Sequence, residues 1–94
     1  MSMEEFSQYW VEVHGLIGRR IPGLRRLVQS HPVADPRNPI PDFDGMAELW
    51  FDDVGALEDA RRSREWQASS DDELNFIDLA HTALFLTVER EISE

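Results

Sequence analysis

The chain has 94 residues and no cysteine, which excludes disulfides, thiolate nucleophiles and cysteine-ligated zinc and describes one small domain over residues 1–94. Its 19 acidic residues outweigh 9 basic ones, giving a formal net charge of -10 that argues against a nucleic-acid backbone or an anionic membrane as partner and favours a small molecule. Every basic residue is arginine, so lysine Schiff-base chemistry is excluded as well. No apolar run approaches the ~20 residues needed to cross a bilayer, and nothing resembles a secretory leader, so a cytoplasmic protein is expected.

Ser2 and Glu5 form a capping-box pattern that opens a helix over residues 3–19, with Phe6, Trp10, Val13 and Ile17 on one face. Pro22-Gly23 ends it. LRRLVQSHPV, residues 24–33, reads as a strand with its two arginines on opposite faces. DPRNPIPDFDG, residues 35–45, is a proline-rich connection. MAELWFDD from Met46 is the clearest strand, placing Met46, Glu48 and Trp50 on one face and Ala47, Leu49 and Phe51 on the other. Asp53 caps a second helix, Ser63 restarts it, and Ser70 with Glu73 suggests a further capping box ahead of LNFIDL. TALFLTVEREI, residues 82–92, is rich in β-branched and aromatic residues and is expected as the last strand.

The expected order is helix, strand, strand, helix, strand. A ferredoxin-like α+β domain has the same order with one more strand at its start. A shortened start, a last strand that moves beside AELWF, or a strand supplied by another chain would each account for the difference, and a shortened start is the first expectation. Otherwise a rearranged sheet and an exchanged or tightened dimer are expected.

EEFSQYWVEVHG, IPGLRRLVQ, DGMAELWFDD, SREWQ and DDELNFID, in this order and at this spacing, resemble the EthD family. The resemblance implies a dimeric α+β barrel, a homodimer in which two ferredoxin-like sheets pack face to face. The family is named for proteins associated with oxygenase-dependent bacterial degradation of fuel ethers. More distant relatives with similar segments include a methylmuconolactone isomerase and fungal polyketide dehydratases or cyclases. What this implies is a cofactor-independent isomerase, dehydratase or cyclase acting by proton transfer on a small, apolar, oxygenated molecule. The alternative is a non-catalytic module that binds a hydrophobic metabolite or a partner protein.

His14 is the first candidate, because an imidazole moves protons near neutral pH and because it falls in the family's Trp-x-x-x-His segment; the bland reading is a packed helical histidine. Glu48, between Met46 and Trp50, is either a second acid or base with a raised pKa or a partner of Arg25 or Arg26 on the neighbouring strand. Those arginines could instead hold a ligand oxygen. Tyr9, Trp10, Trp50, Phe51, Trp66, Phe76 and Phe85 could line a pocket, though residues at such spacing are more often plain core. Leu27 stands where the family often has an aromatic residue and Arg64 where it commonly has proline. His31 and His81 lack metal-ligand spacing, and the acids of DDEL read as helix-start charges complementing the dipole, so no metal is expected.

Overall fold

The structure, a computed structural model, describes residues 1–93. It is mixed α+β: α1 (Met3–Tyr9) runs through a π-helical turn (Trp10–His14) into α2 (Gly15–Gly18), followed by β1 (Arg26–Ser30), β2 (Met46–Trp50), α3 (Val54–Arg61), α4 (Arg64–Glu73) and a 3-10 turn (Leu79–His81). The Ser2–Glu5 capping box closes reciprocally at 3.1 and 3.2 Å. Gly23, at φ 78°, takes the left-handed turn that follows Pro22.

The two strands form an antiparallel hairpin in which Leu27 faces Leu49, Val28 faces Glu48 and Gln29 faces Ala47. Ordered pairing is shorter than the expected 24–33, because Pro32 has no N–H to give a ladder. Gln29 donates through Nε2 to the carbonyl of Trp10 at 2.9 Å, and the space beside Gly18 is filled by Leu27, so Leu27, Gln29, Ala47 and Leu49 face the first helix. Arg26, Val28, Met46, Glu48 and Trp50 therefore occupy the opposite face. The small core gathers Trp10, Ile21, Leu57 and Ala60 between sheet and helices. Gly45 is required by it: a Cβ there would lie 2.6 Å from Trp10 Cη2.

Two expectations are corrected. Ser63 caps α4 as foreseen, accepting from Trp66 N–H at 3.1 Å, but α4 then runs unbroken through Ser70, so no new helix starts there. The acids of DDEL end a helix instead of beginning one. Residues 82–93 form no strand: they run exposed and without regular structure. Their β-branched and aromatic composition is a preference that only a ladder partner can realise, and within residues 1–93 they have none.

Candidate functional site

The first helix and α4 pack side by side, and their contact holds a polar cluster. In a regular α-helix Tyr9 and His14, five residues apart, would point about 140° away from each other. The π-helical turn between them, closed by Gly15 N–H donating to the Trp10 carbonyl, widens the coil and brings both side chains onto α4. Asp72, 8% exposed, receives them. Tyr9 donates its hydroxyl proton to Oδ1 at 2.5 Å, Asn75 donates to the same oxygen at 3.1 Å, and His14 Nδ1 lies 2.9 Å from Oδ2.

Burial pushes the Asp72 carboxyl up, but hydrogen bonds from Tyr9, Asn75 and His14 outweigh it and hold the group below the ordinary carboxylate value. An ionised carboxylate can only accept, so Nδ1 carries the proton toward it and, in the neutral ring, Nε2 keeps its lone pair. The hydrogen bond from Tyr9 to Asp72 raises the pKa of the Tyr9 hydroxyl, whose ionisation would put a second negative charge against Asp72. Phe76 closes the cluster, its ring centroid 4.7 Å from that of His14, 5.3 Å from Tyr9 and 5.7 Å from Phe6. Glu73, the next residue on α4, is half-buried, and burial raises its carboxyl against the opposing charge of His14.

Three residues singled out in the sequence, Tyr9, His14 and Phe76, thus meet at one place. Trp10 sits beside them as core, buried at 6% exposure and packed at a tilt against Phe6 and His31, with ring centroids 5.6 and 4.6 Å away. The others lie elsewhere. Glu48 is on the sheet face turned away from the first helix, and neither arginine pairs with it: Arg25 makes a two-pronged bridge to Asp52, at 2.9 Å from Nη2, and Arg26 covers the Trp50 ring at 5.5 Å. Trp66 carries the guanidinium of Arg61 at 5.8 Å. Phe51 packs near Gly23, and Phe85 is 78% exposed on the final segment.

Asp72 and Glu73 are the members of this cluster that sequence reading missed. A carboxylate in the last turn of a helix opposes the macrodipole, and that local misfit, with Ser69 and Asp72 three residues apart on one buried face, is the signal once residues 64–73 are taken as a single helix. Two open clefts lie elsewhere on the surface, and neither is lined by a residue of the cluster. One, of about 370 Å³, is lined by Ser30, His31, Asp42, Phe43 and Met46; the other, of about 300 Å³, by Ile17, Arg20, Arg64, Glu65 and Ala68. Among the described residues no three His, Asp or Glu side chains are grouped to hold a metal.

No helix among the described residues is long and apolar enough to cross a membrane. No curated protein matches the chain. The EthD domain family matches residues 1–80. Among solved structures, an ethyl tert-butyl ether D (EthD) family protein from Bacillus halodurans is 31% identical, superimposes with a TM-score of 0.72, and matches over 80% of this chain and 74% of its own. The family match spans every residue of the cluster, and the chain belongs to the EthD family.

Proposed function

We propose that this protein is a cofactor-independent proton-transfer catalyst of small-molecule metabolism, an isomerase, dehydratase or cyclase, with His14 as the acid and base. The observation that carries this reading is the His14–Asp72 contact. A buried, ionised carboxylate fixes the imidazole tautomer and stabilises the imidazolium formed when Nε2 takes a proton. Glu73, raised by burial, supplies a second carboxyl beside the first. Asp72 and Tyr9 position; His14 transfers. A carbon acid next to a carbonyl fits this equipment: Nε2 removes the proton, the electron pair moves onto the carbonyl oxygen as an enolate, and the proton returns at the same or another carbon.

Family membership supports a small, apolar, oxygenated substrate, a homodimer formed through the sheet face, and a cytoplasmic setting, where a protein without cysteine is at no disadvantage. A role beside an oxygenase in ether degradation belongs to the same proposal. The experiment is solvent-deuterium uptake by a panel of cyclic ketones and lactones. Wild-type protein should exchange the proton next to the carbonyl of at least one compound, and His14→Ala should abolish it. A second reading, a non-catalytic module for a hydrophobic metabolite or partner protein, draws on the two clefts, neither of which includes His14. Ligand binding without exchange, unaltered by His14→Ala, would favour that reading.

A further inference from the structure

The π-helical turn that brings Tyr9 and His14 onto Asp72 is braced from outside its own helix. In a regular α-helix the Trp10 carbonyl would accept from the N–H of His14, four residues on; here it accepts from Gly15, five residues on. Turns of this kind are rare, so something must favour this one over the ordinary coil.

The brace comes from β1, which meets the first helix on both sides of His14. Leu27 fills the space beside Gly18, and Gln29, two residues on and on the same sheet face, donates through Nε2 to the Trp10 carbonyl at 2.9 Å. A carbonyl oxygen has two lone pairs, and the wide turn lets this one serve both Gly15 N–H and the Gln29 amide. Gly15 leaves the room that the amide needs. A Cβ there would lie 3.3 Å from Gln29 Nε2 and 3.3 Å from the Trp10 oxygen, closer than ordinary van der Waals contact. The half-buried amide stands in a row whose other members, Leu27, Ala47 and Leu49, are apolar, where a polar group is tolerated when its hydrogen bond is made.

We propose that Gln29 is a positioning residue for His14: its amide holds the Trp10 carbonyl in the π-helical register, and that register keeps Tyr9 and His14 together on Asp72. An α-helical register would return the carbonyl to His14 N–H and turn one of the two side chains about 100° away from α4. The sheet thus sets the geometry of a site built between two helices. The functional consequence rests on the proton-transfer reading of His14, and the loss of alignment should slow exchange about 100-fold in Gln29→Met.

The register itself is measurable without any substrate. Gln29→Met keeps the side-chain length and removes the donor, and Gln29→Glu keeps the shape and, when ionised, can only accept. Scalar coupling across hydrogen bonds should link the Trp10 carbonyl carbon to Gly15 N in the wild type and to His14 N in both variants. With that shift, at least one of two signatures should be lost, the raised tyrosinate midpoint of Tyr9 or the Nδ1-protonated ring of His14. Helical circular dichroism identifies the folded variant on which the result is read. Retention of the Gly15 coupling, or of both signatures, with only the urea midpoint lowered would reduce Gln29 to a packing residue and overturn the proposal. Failure of the wild type to exchange deuterium would instead defeat the proton-transfer reading, and the coupling would still decide the role of Gln29.

Discussion

At the scale of single residues, three donors converge on one carboxylate, and the chain's only tyrosine is among them. Ultraviolet absorbance of tyrosinate therefore reports Tyr9 alone. Its midpoint should lie above the ordinary value near ~10 and fall back toward it in Asp72→Asn, which removes the negative charge. Asp72 also sets the acid limb of stability. Its folded pKa is depressed, so the stabilisation is fully present above the unfolded value near ~4 and is lost as pH falls through the lower folded value. Glu73 has the opposite sign: its raised folded pKa favours the protonated form, and that contribution is lost as pH rises from the unfolded value through the raised one. Urea unfolding across the acid range should show Asp72→Asn losing about 2 kcal/mol at neutral pH and flattening the acid limb. Glu73→Gln should be most stabilised relative to wild type at neutral pH.

At the scale of elements, the site depends on how the first helix and α4 are built. Ser63→Ala removes the acceptor that caps α4 and should cost about 1 kcal/mol in denaturant unfolding, loosening Asp72 at the far end of the same helix. Gly45→Ala drives a methyl into the Trp10 ring and should cost about 1–3 kcal/mol, read as a lower thermal midpoint. The helix starts at Ser2, Asp53 and Ser63 were legible in the sequence because each cap is a local contract between side chain and neighbouring N–H. The hairpin was legible from alternation in MAELW. Asp72 was hidden because Ser70-x-x-Glu73 imitates a capping box, and a local pattern cannot tell a helix start from a helix interior. The convergence of Tyr9 and His14 was hidden for a different reason: it requires a π-helical turn, which leaves no trace in 3.6-residue periodicity. The final segment shows the limit of β propensity, since residues 82–93 have the composition of a strand and no strand partner among the described residues.

At the scale of the whole molecule, a chain of net charge -10 with exposed apolar segments balances self-repulsion against association. Salt screens the first far more than the second, so the weight-average mass in sedimentation should rise with sodium chloride. The EthD fold supplies the frame in which the first helix and α4 hold a polar cluster, where Asp72 holds His14 with its Nδ1 proton inward and its Nε2 lone pair free. The most direct measurement is the ¹⁵N chemical shift of the two His14 ring nitrogens at a pH where the ring is neutral. The His14–Asp72 contact should give a protonated Nδ1 and a pyridine-like Nε2 in the wild type, with that preference lost in Asp72→Asn; a protonated Nε2 in both proteins would mean that Asp72 does not set the tautomer.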